Sequence, residues 1–151
     1  MAERFNDAGT TIYAFGDVFL VRCPRCQRRA SVVRAAPVKS HAIFGPRRCA
    51  CMHCGYIEDR TGGSAVIGGP CDWFFGLPLW LQTPCCGHTL WAHNEDHLAF
   101  LECFVAATVR ERMPGLIWNR SLASRLPRWM QASANRAEVL RSLERLRALL
   151  A

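Results

Sequence analysis

Two Cys-x-x-Cys pairs constrain the fold of this chain more than any other feature of its sequence. They read Cys23-Pro-Arg-Cys26 and Cys51-Met-His-Cys54, and 24 residues separate them. Two thiolates three residues apart on a tight turn can both face one metal ion at about 2.3 Å. Gly55 follows the second pair and supplies the relaxed backbone that such a turn needs. The spacing predicts one four-thiolate metal site formed by Cys23, Cys26, Cys51 and Cys54.

The ligand type favours one Zn²⁺ ion as the cofactor, because zinc is tetrahedral and has no redox chemistry of its own. Two alternatives stay open from the sequence. An iron–sulfur cluster also uses four cysteines, and a Cys-x-x-Cys pair can be a redox dithiol, although that motif occurs singly between a strand and a helix. A pure disulfide framework is disfavoured because the chain has nine cysteines, an odd number.

The residues beside the second pair have separate expected roles. Cys49 lies two positions before Cys51 on an incoming strand and is expected to be buried beside the metal site. His53 lies inside the turn, where we expect its side chain to face solvent.

The two cysteine segments, "VRCPRCQRRA" and "CMHCGYIED", resemble the knuckles of a zinc ribbon of the transcription-factor-IIB type. That grouping includes many uncharacterised bacterial proteins, and the resemblance covers about residues 18–60. It implies a three-stranded ribbon with zinc on the four cysteines. Ribbons of this type bind nucleic acid, dock proteins in transcription and replication machinery, or are purely structural, so the resemblance indicates the metal and leaves the function open.

The predicted fold class is α+β: an N-terminal antiparallel zinc ribbon, then a β-hairpin packed with about three C-terminal helices. The predicted domains are residues 1–60 and 61–151, with packing of both parts as one domain as the alternative. The Gly-rich segment "TGGSAVIGGP" at 61–70 is interpreted as a linker or a long loop. A strand or hairpin is expected at 11–22, and strands are expected at 31–35, on entry to Cys51 and at "GYIEDR".

The second predicted domain begins with a hairpin that turns at Pro-Cys-Cys-Gly, within "LPLWLQTPCCGHTLWAH". A helix is expected from Glu95 to Arg112, with Pro114 and Gly115 stopping it. A final helix to about residue 150 should open at Asn135-x-x-Glu138, a variant of the capping box.

The charge is divided along the chain. Residues 1–60 hold ten basic and five acidic side chains, residues 61–109 hold four acids and no Lys or Arg, and residues 110–151 hold nine Arg and three Glu. Because Arg pairs with phosphate through two parallel hydrogen bonds, the basic ends favour DNA or RNA backbone as a partner. The candidate contacts around the knuckles are Arg22, Arg25, Arg28, Arg29, Arg34, Arg47, Arg48 and His53. Further contacts are expected from Arg120, Arg125 and Arg128.

A second metal site and a catalytic site are both less strongly indicated. Cys71, Cys85, Cys86 and His88 are the candidates for a second ion, although adjacent thiols chelate one ion poorly. A Cys–His nucleophile pair at Cys85 or Cys86 with His88 stays open, but no phosphate-binding loop or nucleophile elbow is present in the sequence. We therefore expect a non-catalytic protein.

The alternative function is a protein-docking adaptor or regulatory subunit. It would use the aromatic middle segment, defined by Trp73, Phe74, Phe75, Trp80 and Trp91, or the final amphipathic helix. A cytoplasmic location is expected because clustered cysteines there stay reduced and bind metal. No membrane partner is expected, because the longest apolar stretch is too short to cross a bilayer.

Overall fold

A computed structural model of the chain describes residues 3–34, 45–61, 67–115 and 120–151. The fold is α+β, as the sequence predicts. The chain forms two compact units. The first, unit 1, comprises Met1–Phe15, Thr83–Leu90 and Glu95–Ala151; the second, unit 2, comprises Gly16–Gln82 and Trp91–Asn94. The predicted domains at 1–60 and 61–151 stay a prediction, since compact units do not establish which segments fold independently.

An antiparallel four-stranded sheet is the centre of unit 2. Its strands, in sheet order, are β2 (Val18–Arg22), β3 (Arg29–Arg34), β4 (Arg47–Ala50) and β5 (Ile57–Arg60). This sheet therefore has one strand more than the three-stranded ribbon that the resemblance implies. The first predicted strand is also shorter than expected, because Ile12–Phe15 forms a 3₁₀ turn.

One face of this sheet is apolar and buried. Phe19 pairs with Val32, and Val32 pairs with Cys49 across the next strand. All three side chains are fully buried. Residues directly opposite on adjacent strands project to the same face of a sheet, so the three side chains lie side by side on this face. Each large apolar side chain buried in this way stabilises the fold by about 1.5–3 kcal/mol. Trp73 covers Phe19, with ring centroids 5.1 Å apart.

The predicted hairpin is present. It consists of β6 (Leu81–Cys85) and β7 (His88–Ala92), which pair as a two-stranded sheet. The two-residue connection, Cys86-Gly87, has φ values of 51° and 76°. Positive φ at both central residues is the signature of a type I′ turn, whose twist matches that of the flanking strands.

Unit 1 contains the remaining strands and α-helices. They are β1 (Arg4–Asp7), α1 (Glu95–Ala106), β8 (Val109–Arg112), α2 (Leu122–Arg125), α3 (Arg128–Gln131) and α4 (Arg136–Ala148). The predicted helix from Glu95 to Arg112 is too long, because its last residues form β8 and pair in parallel with β1. Four helices are described where about three were expected.

The last helix, α4, packs against α1. Its buried face includes Val139, Leu143 and Leu146, which lie three or four residues apart as one helical face requires. Arg147 on α4 forms ion pairs with Glu95 and Glu102 on α1. The predicted capping box is not formed at Asn135, whose side chain makes no capping hydrogen bond.

Candidate metal centre

The two cysteine turns have the same backbone hydrogen bonds. In the first knuckle, Cys23 N donates to Arg28 O at 2.7 Å and Gln27 N donates to Cys23 O at 3.0 Å. In the second knuckle, the equivalent distances are 2.9 Å from Cys51 N to Tyr56 O and 3.0 Å from Gly55 N to Cys51 O. Each turn directly follows a strand of the four-stranded sheet. The sheet therefore places two equivalent turns at one end.

The four predicted ligands lie together. The Sγ atoms of Cys23 and Cys54 are 3.6 Å apart, and those of Cys26 and Cys51 are 3.5 Å apart. All four sulfur atoms lie within 4.8 Å of one another. Sulfur atoms at the corners of a tetrahedron around zinc are about 3.8 Å apart, for a Zn–S distance of about 2.3 Å. The four thiols can therefore hold a single metal ion.

Backbone N–H groups help to make these thiols into thiolates. Burial of the Cys23 thiol opposes ionisation, but hydrogen bonds from the N–H groups of Cys26 and Arg25 outweigh it and lower the pKa to about 6. The N–H groups of Cys54 and His53 likewise overcome burial and lower the pKa of Cys51. One cysteine of each knuckle is thus favoured as a thiolate, the form that binds metal.

The Cys26 thiol behaves differently. The N–H group of Arg28 lowers its pKa, but burial and the neighbouring thiols of Cys51, Cys54 and Cys23 together raise it to about 11. Without a cation, four close thiols cannot all carry negative charge. A bound metal ion would offset that repulsion.

Two residues next to the candidate ligands of the second knuckle, Cys49 and His53, lie as expected. Cys49 is completely buried, and the pKa of its thiol is raised to about 11, first by burial and then by the charge of Asp72. It is not a member of the four-sulfur group. His53 is exposed at the turn.

Three of the arginines proposed for phosphate contact are engaged within the protein. Arg47 is only 1% exposed and lies 4.1 Å from the centroid of the Phe74 ring, which argues against a phosphate contact at this residue. Arg48 forms two hydrogen bonds with Asp59, at 2.7 and 3.0 Å. Arg34 pairs with Asp17 at 3.0 Å. The clustering of Arg in the sequence does not reveal which of the guanidinium groups are paired inside the protein.

Four further candidates lie on the first knuckle and are called the first-knuckle arginines: Arg22, Arg25, Arg28 and Arg29. The candidates Arg120, Arg125 and Arg128 are exposed residues of unit 1. Three of the first-knuckle arginines, Arg22, Arg25 and Arg28, are exposed. Arg22 pairs directly with Arg29 across β2 and β3. Arg25 lies 5.3 Å from the centroid of the Tyr56 ring. The first knuckle therefore presents several cations within eight residues.

The proposed second cluster is only partly assembled. In unit 1, Cys85 and Cys86 are joined by Glu138, and their ligand atoms lie within 4.8 Å of one another. Among the described residues, neither Cys71 nor His88 belongs to a potential metal group. His88 instead stacks on Trp129, with ring centroids 4.9 Å apart, and Cys71 forms an isolated bridge with Pro78 in unit 2.

The aromatic middle segment does not form an exposed patch. Trp73 is 2% exposed, and the other four residues of the segment are half-buried. Phe74 and Phe75 are covered by the guanidinium groups of Arg47 and Arg60. Their burial argues against this segment as a docking surface.

Two acidic residues have roles that the sequence does not reveal. Asp72 is 1% exposed, and its carboxylate accepts hydrogen bonds from the N–H groups of Phe74, Phe75 and Leu77 at 2.7–2.9 Å. Glu138 accepts a hydrogen bond from Cys86 N at 3.1 Å. The Asp-x-Phe-Phe-x-Leu spacing is a weak signal for the first, since Asp often bonds backbone N–H groups two residues on. The second contact joins residues 52 positions apart and has no local signal.

No protein-family model matches this sequence, and comparison with curated proteins and with solved structures finds no match. Of the helices that the structure describes, none combines the length and apolar character that a membrane span requires.

Proposed function

We propose that this chain is a zinc-ribbon protein of the transcription-factor-IIB type that contacts nucleic-acid backbone through its first knuckle. The observation that carries this proposal is the convergence of four cysteine sulfurs within 4.8 Å from two equivalent turns. Zn²⁺ suits this ligand set because it accepts four thiolates in a tetrahedron.

The compactness of the sulfur group favours one ion over an iron–sulfur cluster. A multi-iron cluster attaches its cysteines to different irons, so the thiolates must spread around a larger body. The distances of 3.5 and 3.6 Å between sulfur pairs suit a mononuclear site instead. Four thiolates leave no open coordination position for water, so the proposed zinc is structural and not catalytic.

The first-knuckle arginines support a phosphate-binding surface. Arg22, Arg25 and Arg28 are exposed within seven residues of one another. Guanidinium groups bind phosphate through two parallel hydrogen bonds. His53 is exposed on the other knuckle and adds a hydrogen-bond donor. Such contacts are directed at the backbone and carry no base sequence information.

These arginines have a competing role that the test must separate. A zinc ion with four thiolates has a net charge of about −2, which nearby guanidinium groups also offset. If that were their only role, removing them would weaken zinc binding and leave nucleic-acid binding unaffected.

The test is fluorescence anisotropy of labelled DNA and RNA oligonucleotides with the zinc-loaded protein at several salt concentrations. We expect log K to fall linearly with log[salt], with a slope of about −3 to −4 on duplex DNA if three or four phosphates are neutralised. The double variant Arg25→Gln/Arg28→Gln should make that slope shallower by about 2 while its ribbon still holds zinc.

A charge-matched control is Arg4→Gln/Arg141→Gln, which removes two exposed arginines from unit 1. It should leave the slope unchanged. Absence of binding at about 50 mM salt, or an equal effect of both double variants, would overturn the proposed interface.

One observation favours protein docking as a second candidate function. Met52 at the tip of the second knuckle is 94% exposed, and Ile57 on the edge strand β5 is 60% exposed. Exposed apolar side chains close together in sequence suit a protein partner. This candidate predicts a complex recovered from native cells after nuclease treatment and lost in a Met52→Lys variant. Equal recovery with Met52→Lys would count against it.

A further inference from the structure

The turn of the β6–β7 hairpin has an unusual residue at its first position. Cys86 has a φ of 51° and Gly87 a φ of 76°. Type I′ turns prefer Asn-Gly or Asp-Gly, because few side chains tolerate positive φ. A cysteine at this position lowers the stability of the turn. This cost indicates that its thiol has a function.

The position of the Cys86 thiol beside Cys85 suits a metal ion. The two Sγ atoms are 3.7 Å apart. That distance lies close to the 3.5 and 3.6 Å of the sulfur pairs in the ribbon site. It also agrees with the separation of about 3.8 Å expected for two thiolates on one tetrahedral ion. Adjacent cysteines chelate poorly in an extended strand, because successive side chains point to opposite faces, but here the turn brings the two sulfur atoms together.

A third ligand comes from the first turn of α4, far away in the sequence. Glu138 accepts a hydrogen bond from Cys86 N at 3.1 Å, so its carboxylate is held at the hairpin turn. Its oxygen and the two sulfurs lie within 4.8 Å of one another. A second link fixes the same two elements, since Arg145 Nη2 on α4 donates to Pro84 O at 3.4 Å. The three ligand groups are therefore positioned by the fold of unit 1.

We propose that Cys85, Cys86 and Glu138 form a second metal site that binds a borderline-soft divalent cation such as Zn²⁺. Thiolates disfavour Mg²⁺ and Ca²⁺, and a mixed sulfur–oxygen set suits zinc. Three protein ligands leave a fourth position for water or another ligand, which distinguishes this site from the closed ribbon site.

The burial of the ligands indicates how the ion would enter. Cys85 is buried, Cys86 is half-buried and Glu138 is exposed, so the open side faces solvent. The cations Arg141 and Arg145 lie near Glu138, and they offset the net charge of about −1 of a Zn²⁺ ion with two thiolates and one carboxylate. Because this site has three protein ligands instead of four thiolates, it binds zinc more weakly than the ribbon and exchanges it with solvent. A bound ion would clamp the hairpin turn to α4.

The test is a zinc titration of the full-length protein under reducing conditions, with the number of bound ions read by native mass spectrometry. The wild-type chain should bind one tightly held zinc and a second at higher zinc concentration. The double variant Cys85→Ser/Cys86→Ser should retain the tight ion and lose the second. Glu138→Gln keeps an amide oxygen that can accept from Cys86 N, and it should weaken the second ion at least tenfold.

Cys103→Ser is the matched control, because Cys103 is an exposed thiol of unit 1 outside both groups. It should bind two ions like the wild type. A wild-type chain that never binds a second zinc overturns the proposal, and so does a double variant that still does. If the double serine variant fails to fold, as judged by circular dichroism, Glu138→Gln provides the test. An unchanged affinity for the second zinc ion in Glu138→Gln would show that Glu138 is not a ligand and would overturn the proposed site.

Discussion

Gln27 and Gly55 occupy the same position in the two knuckles, and both have a positive φ, 66° and 78° respectively. Each donates its backbone N–H to the carbonyl of the first cysteine of its knuckle, at 3.0 Å. Glycine adopts this conformation freely, whereas a residue with a Cβ loses roughly 1–2 kcal/mol in the left-handed region. The first knuckle therefore carries backbone strain that the second does not.

Single substitutions at Gly55 and Gln27 should change the stability of the protein in opposite directions. Gly55→Ala should lower the free energy of unfolding by about 1–2 kcal/mol. The cost is purely conformational, since a Cβ at Gly55 would meet no atom within 4 Å. Gln27→Gly should raise stability by up to about 1 kcal/mol, because relief of strain exceeds the entropy that glycine adds to the unfolded chain. Urea unfolding at a fixed zinc concentration measures both.

Gln27→Ala is the control for this pair, because it shortens the side chain and keeps the strained backbone. It should leave stability within about 0.5 kcal/mol of the wild type. A neutral Gly55→Ala would show that the second knuckle does not require positive φ.

Cys49 lies on β4 and Cys51 directly follows that strand, but the two residues should differ in their effect on zinc. Cys51→Ser removes one of the four proposed zinc ligands, so we expect zinc affinity to fall by more than the 10–100-fold that loss of an outer partner costs. The proposed ribbon should then unfold, because metal binding and folding are coupled in such sites. Cys49→Ala should retain the tight zinc and cost about 1 kcal/mol through lost packing. Chelator competition measures the affinities.

If Cys49→Ala loses zinc as readily as Cys51→Ser, then Cys49 is a ligand and the four-sulfur group is assigned wrongly. Circular dichroism of both variants separates loss of metal from general misfolding.

Asp72 should be among the residues of unit 2 most sensitive to substitution. Its buried carboxylate satisfies three backbone N–H groups of the loop that carries Trp73. Hydrogen bonds to a charged group contribute about 1.5–3 kcal/mol each, and unsatisfied buried donors are costly. Asp72→Ala should therefore destabilise the protein by about 3–5 kcal/mol in urea unfolding. Asp59→Asn, at an exposed aspartate, should change stability by less than about 1 kcal/mol.

The features that the sequence predicts correctly depend on short spacings. Each Cys-x-x-Cys turn places its own two sulfur atoms on one side of the turn, independently of the rest of the fold. A Cys-Gly pair between apolar runs indicates a hairpin. The burial of Cys49 follows from alternation along a strand that ends at a ligand.

The features that the sequence does not predict depend on pairing between distant segments. The helix begun at Glu95 ends at Ala106 because the residues after it pair with β1, at the start of the chain. Arg47 is buried because the Phe74 ring lies under its guanidinium. Glu138 contacts a turn 52 residues away and does not complete a capping box. Local propensity cannot anticipate such contacts, since tertiary packing overrides it.

Tyr56 should titrate above the ordinary pKa of a tyrosine. Its phenol donates to the Glu58 carboxylate at 2.6 Å, and this hydrogen bond is the main reason why the pKa of Tyr56 is raised above 10.0. Because the raised pKa belongs to the folded state, the stabilisation is fully present below pH 10 and is lost as the pH rises through the folded value. Ultraviolet titration in a Tyr13→Phe background reports Tyr56 alone, since the chain has two tyrosines. Glu58→Gln should lower the observed pKa towards 10, while Asp59→Asn should leave it unchanged. An unaltered midpoint in Glu58→Gln would show that the carboxylate does not hold the phenol.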